Sequence, residues 1–196
     1  PSLNFLQPSP ALKSIQDESR LTSLIADVKY VREKTYQILK NSAPFCKKQT
    51  IPFIGVFFTN EFDLDASIRT AAVKKYNLNE ELRIIQLLPG FPAKQQGLLT
   101  GDVLLSIDNQ PFSYGENSLP SAYNLLNKKL RSRRPSKITV RRGKHEGAFS
   151  VTPVNICNFP PALANSKQAY AHGNGRYIII SRGLLRSVSK KSQFAT

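Results

Sequence analysis

The stretch at residues 87–108, LLPGFPAKQQGLLTGDVLLSID, constrains this chain more than any other. Its punctuation predicts a strand, a turn, one short helix, a second turn and another strand. Gly90 allows a positive φ as the chain leaves the first strand, and Pro92 presets φ for the first helical turn. Gly97 stands where a short helix takes its left-handed C-terminal residue. After the turn at Gly101, Val103, Leu105 and Ile107 alternate onto one face of the second strand, with Ser106 and Asp108 opposite.

In its full order this stretch resembles the core signature of PDZ domains, PG-x-PA-(four)-GL-x-x-GD-hydrophobic-x-x-hydrophobic. PDZ domains bind peptides and perform no reaction themselves. Upstream, residues 53–59 are strand-like, and residues 65–75 are helical with Ile68, Ala72 and Tyr76 on one side. The order strand, helix, strand, PG turn resembles the permuted PDZ domains of bacterial HtrA-type proteases. There a hydrophobic-Gly-hydrophobic segment forms the carboxylate-binding loop and leads into the strand to which a peptide adds. The resemblance gives that role to Ile54, Gly55 and Val56, flanked by Phe53 and Phe58. Glycine suits such a loop because successive backbone N–H groups must turn towards a carboxylate without a Cβ in the way. On this reading a bulkier residue at 55 blocks the carboxylate and leaves the fold intact. A core strand with a bulge at Gly55 is the plainer alternative.

Downstream, Asn109-Gln110 turns the chain, Ser118 caps a helix running to about Arg131, and strands at 137–142 and 148–151 flank a loop at 143–147. The helix carries Leu119, Ala122, Leu125, Leu126 and Leu130 along one face. In a PDZ fold it forms the second groove wall, for which Ala122 and Leu126 are the candidates. The fold class expected is therefore α+β. A PDZ-like, partly open β-barrel with two helices spans 50–153, inserted between an N-terminal helical segment at 1–46 and a C-terminal unit at 157–196.

At 196 residues the chain is long enough for one large or two small domains. Apolar positions Leu21, Leu24, Ile25, Val28, Val31, Ile38 and Leu39 recur at helical spacing across 14–40, with Ser14 and Asp17 as a plausible N-terminal cap. The net charge of +15 is unevenly spread. Residues 128–196 hold 15 basic side chains and one acidic, Glu146, and nine of the seventeen residues at 128–144 are Lys or Arg. Such a cluster suits nucleic acid, an anionic membrane surface or simply a solvated helix end and hairpin. Aromatic residues are not interleaved with it as stacking platforms require, so no specific nucleic acid is expected. No apolar run approaches the ~18–20 residues that span a bilayer.

The two cysteines, Cys46 and Cys157, flank the PDZ-like part, four residues before its start and four after its end. PDZ termini lie close together, so the resemblance implies that both sit at the neck of an inserted domain, where a disulfide is easy to form; two free thiols is the alternative.

The last forty residues resemble another family. Residues 167–185, KQAYAHGNGRYIIISRGLL, read as a strand, an Asn-Gly hairpin turn, a second strand and a helix start. This is similar to the segment NA[YF]A, hydrophobic run, [ST]-x-G-[LM]-[LM] that precedes the zinc helix in HtpX-like and CAAX-prenyl-protease-like metalloendopeptidases. Ser42-Ala43-Pro44-Phe45-Cys46 matches the [NS]AP-x-C of their PDZ-containing members, while Gln168 stands where the family usually has Asn. The resemblance implies the N-terminal, substrate-presenting part of such a peptidase, exported to the periplasm or cell envelope, with peptide or protein C-termini as partners. Zinc then belongs to a longer parent whose HExxH helix would begin about where this chain ends, and no cofactor is expected here. His145 and His172, 27 residues apart and both in expected hairpin loops, form no zinc-ligand pattern, and no catalytic nucleophile motif is present.

Overall fold

The computed structural model describes residues 10–47, 49–64 and 66–193. The chain opens with a long helix, α1 (Pro10–Asn41), then a 3₁₀ turn at Ala43–Phe45. Proline is tolerated at a helix start because its missing N–H would be unpaired there anyway. The helix therefore begins ahead of Ser14, which lies inside it. Its buried residues Leu21, Val31, Thr35, Tyr36 and Leu39 form the stripe that the periodicity anticipates, whereas Ile38 faces out.

Next come β1 (Thr50–Phe53), β2 (Val56–Thr59), α2 (Ala66–Tyr76), β3 (Arg83–Leu87), α3 (Pro92–Gln95), β4 (Val103–Ile107), β5 (Gln110–Pro111), α4 (Ser118–Leu130), β6 (Ser136–Arg142) and β7 (His145–Val151). The main sheet runs β2-β3-β4-β6-β7 with β5 beside β4, every neighbour antiparallel. The signature stretch supplies β3, α3 and β4, with positive φ at Gly90, Gly97 and Gly101 as its turns require. Asp102 fastens this stretch to the end of β6, the neighbour of β4. Its fully buried carboxylate accepts the Leu99 amide at 2.8 Å and both Nε and Nη2 of Arg142 on β6, at 2.7 and 2.8 Å. A bidentate pair of this kind fixes direction as well as distance.

The sheet is covered on both faces, so the domain has two cores. On one side Ile54, Val56, Phe58, Leu82, Ile84, Leu104, Ile107 and Ile138 pack against Ala122, Leu126 and Leu130, which recur every four residues along α4. On the other side α1 covers β2 and β3, and Tyr36 and Leu39 meet Phe57, Leu88, Phe91 and Ile156. Tyr36 stacks on Phe53 at 4.8 Å and meets Phe57 edge-on at 5.3 Å.

The ends of the domain come together in β1 and β8 (Val154–Cys157), paired antiparallel from Thr50↔Cys157 to Phe53↔Val154. Cys46 and Cys157 are joined in a disulfide across this neck, with Cα atoms 5.6 Å apart, as expected. Beyond it β9 (Pro161–Ala164), β10 (Ala171–Gly173) and β11 (Ile178–Ser181) form a small sheet in the order β10-β11-β9, leading into α5 (Arg182–Gln193). His172 lies within β10, and His145 opens β7; neither is in a loop. The S-x-G motif has a structural role here. Fully buried Ser181 donates to the Gln168 carbonyl at 2.6 Å and accepts the amides of Tyr170 and Leu184. A Cβ on Gly183 would stand 2.2 Å from the Lys167 carbonyl oxygen, so only glycine fits against that strand. Arg182 ties the unit to α1, donating to Asp27 at 2.6 Å and to Ser23 at 2.8 Å.

The disulfide closes a loop whose ends lie 111 residues apart. Reducing it, or replacing both cysteines by serine, is expected to lower unfolding free energy by about 2–5 kcal/mol, read as a shifted urea midpoint. Alkaline stability gives a second test. Burial pushes the Tyr36 phenol up to about 12 from its ordinary value near 10, with the Arg32 charge opposing. A proton-holding group raised by folding leaves stability intact below pH 10 and removes it as pH climbs to 12, by about 1.4 kcal/mol per pH unit. Phenolate absorbance should show Tyr36 titrating late, and Tyr36→Phe should flatten the loss of stability across that window.

Candidate functional site

Strand β2 lies at the edge of the main sheet, and α4 packs beside it on the inner face. Ile54, Val56, Phe58, Ala122 and Leu126 are all gathered there in one buried cluster. Phe53 is not. The chain breaks between β1 and β2, where Gly55 takes φ +81°, and the break turns Phe53 to the opposite core. There it stacks on Tyr36 and meets Phe91 edge-on at 5.7 Å.

The Ile54–Gly55 segment is held by its carbonyls. Leu88 N–H donates to the Gly55 oxygen and Ala93 N–H to the Ile54 oxygen, both at 2.9 Å. Among the described residues, neither the Ile54 nor the Gly55 amide donates to a protein acceptor. Two consecutive free donors at the start of an edge strand are what a carboxylate needs. Gly55 has a second duty that the sequence did not show. A Cβ at this position would lie 2.2 Å from the Phe91 Cβ, so the loop sits flat against that ring only because position 55 has no side chain.

The groove is closed by a residue outside the sequence reading. Tyr123 of α4 stacks its ring on Phe58, with centroids 4.6 Å apart and planes 22° from parallel. Its phenol is pushed up by burial, with the Arg32 charge opposing and the Asp63 carboxylate adding. Tyr123 therefore covers the strand to which a peptide would add. The signal was an aromatic beside the Ala122–Leu126 stripe, reading as one more half-buried helix position.

At the far end of the groove, fully buried Asn60 joins β2 to α4. Its Nδ2 donates to the Ser118 hydroxyl at 2.8 Å and to the Gly115 carbonyl at 3.0 Å, while its Oδ1 accepts the Phe62 amide. Ser118 thus caps nothing; the residue preceding α4 is Asn117 at φ 61°. This clamp fixes the N-terminal end of the helix against the strand.

Of the nine basic residues at 128–144, Arg141 pairs with Glu81 and Arg142 with Asp102, so part of the cluster is structural. Lys128, Arg131, Arg133, Arg134 and Lys137 are exposed around the C-terminal end of α4 and the turn that follows. Among the described residues no three His, Cys, Asp or Glu side chains are placed to hold a metal ion. None of the described helices is long and apolar enough to cross a membrane.

The Gly55–Phe91 contact is testable by substitution. Gly55→Ala is expected to destabilise by about 2–4 kcal/mol, through positive-φ strain and overpacking, and Gly55→Val by more. Chemical denaturation of both variants checks this, and corrects the expectation that a bulky residue here would spare the fold.

Comparison with known proteins rests on this geometry. A family model described as PDZ domain matches residues 52–152. The fold is similar to that of the HtrA3 PDZ domain crystallised with a phage-derived ligand, FGRWV, at 20% identity and a TM-score of 0.37, covering 55% of this chain and 88% of that one. It is also similar to the HtrA-type protease AlgW with decapeptide, at 21% identity and a TM-score of 0.38, covering 54% and 30% of the two chains. A PDZ domain protein from Parabacteroides distasonis shows 18% identity and a TM-score of 0.39, over 54% of this chain and 20% of that one. This chain thus spans less than a third of the latter two. No curated protein sequence matches it. With more than half its length matched, and with the edge strand, helix and glycine loop in place, the chain belongs to the PDZ domain family.

Proposed function

We propose that this protein binds the free C-termini of peptides or proteins at β2, by strand addition between that strand and α4. The observation behind this reading is the pair of unengaged amides at Ile54 and Gly55 at the head of an edge strand. A terminal carboxylate would accept from them, and the last side chain would enter the apolar cluster of Val56, Phe58, Ala122 and Leu126. The ligand-bound HtrA3 PDZ domain and AlgW with decapeptide are consistent with such a role.

Binding requires Tyr123 to leave Phe58, so the resting protein is self-occluded. Calorimetry with a peptide ending in a hydrophobic residue should give micromolar affinity at best, about −8 kcal/mol, and none after C-terminal amidation. Tyr123→Ala should tighten binding about tenfold, by removing the ring stacked on Phe58. Equal binding of the amidated peptide would reject the carboxylate loop, and unchanged affinity in Tyr123→Ala would reject occlusion.

The wider setting is also a proposal. The S-x-G unit after the neck and the SAP-x-C before it support the reading that this chain presents substrates within a PDZ-containing zinc metalloendopeptidase. The neck disulfide suits an oxidising compartment such as the periplasm or cell envelope. A natural reading frame that continues past Thr196 should encode HExxH, and its product should contain stoichiometric zinc by elemental analysis. A frame without that motif would leave a stand-alone peptide-binding protein.

A further inference from the structure

Behind β2, on the face turned away from the groove, α1 and α2 do not close completely on the sheet. They leave a cavity of about 230 Å³ lined by Leu24, Ile25 and Val28 of α1, Ile68 and Ala72 of α2, and Ile85 of β3. Arg32 stands in its wall beside Gln86 and Thr59. The guanidinium lies 4.0 Å from the Phe57 ring centroid and gives one long hydrogen bond, at 3.3 Å, to Gln86 Oε1. Gln86 is itself turned away, donating to the Lys29 carbonyl at 3.2 Å. Among the described residues no carboxylate pairs with Arg32; the four acidic partners of ion pairs are Glu18, Glu81, Asp102 and Asp27, bound elsewhere. Burial lowers the Arg32 pKa below its ordinary value, which marks the cost of holding this charge away from water.

Two deficits meet at one place. An apolar cleft takes hydrocarbon out of water, and a cation in its wall whose guanidinium has one protein hydrogen bond and no ion pair takes an anion. We infer that the cavity binds a medium-chain carboxylate amphiphile, its chain lying between α1 and α2 and its carboxylate on Arg32. The volume suits a chain of roughly eight to twelve carbons. A peptide is the wrong occupant, because β2 and β3 pair with each other here and the helices satisfy their own backbones. A buried peptide bond would find no partner, whereas a hydrocarbon chain needs none. The site is distinct from the groove, and its failure would leave the peptide-binding reading untouched.

The test is calorimetric titration of the whole chain with decanoate below its micellar concentration, with decanol and decylamine in parallel. Decanoate should bind saturably at one site, at least tenfold tighter than decanol, and decylamine should not bind. Arg32→Gln should bring decanoate to the level of decanol and leave decanol unchanged. Ala72→Phe, which fills the cavity, should abolish both without lowering the melting temperature; should that variant not fold, the Arg32→Gln comparison decides alone. Absence of saturable decanoate binding, or equal affinity in Arg32→Gln, would overturn the proposal. So would binding seen only after removal of residues 1–9, which would make the chain's own N-terminal segment the occupant.

Discussion

The two hydrogen bonds that hold Ile54 and Gly55 by their carbonyls, from Ala93 and Leu88, are the constraint on which the rest of the domain depends. They lay the loop flat on Phe91, and so join the core under α4 to the core under α1. They also decide polarity. With both oxygens engaged inward, the amides are the groups left for a ligand, so the same contacts that close the fold create the acceptor-seeking edge. On the proposed reading one glycine serves packing and recognition together, and the two duties cannot be separated by changing it.

Much of this was legible in the sequence because it was written in local chemistry. The turns at Gly90, Gly97 and Gly101 are set by residues next to them, and the positive φ at each follows. The neck was legible for a related reason: two cysteines placed symmetrically about a domain whose ends meet leave few alternatives. Ala122, Leu126 and Leu130 followed from helical spacing alone.

What escaped the sequence was decided by contacts between distant residues. Phe53 has the composition of a groove residue, but the break at Gly55 rotates it to the face that α1 covers, and strand alternation cannot count across a break. Ser118 looks like a helix cap; Asn60, 58 residues earlier, takes its hydroxyl instead. Tyr123 differs in kind, since its position in the helix was plain and only its partner, the Phe58 ring on β2, gives it meaning. Parallel β9 lies in a stretch to which the sequence reading assigned nothing; Pro161 opens its pairing at the sheet edge, where the missing N–H costs little.

The neck has one further consequence, which concerns mechanical load. A pull applied to α1 and to the C-terminal unit enters the PDZ domain at Cys46 and leaves at Cys157, and the covalent bridge between them carries it. The covalent chain between them is bypassed while the bridge is oxidised; load reaches β2 only through the face of α1 packed on it, where Tyr36 meets Phe57. The Arg182–Asp27 pair spans the same two segments outside the bridge and shares the strain before it arrives there. A pull on either end therefore cannot draw out the intervening chain while the bridge holds, and reduction makes the same chain extensible.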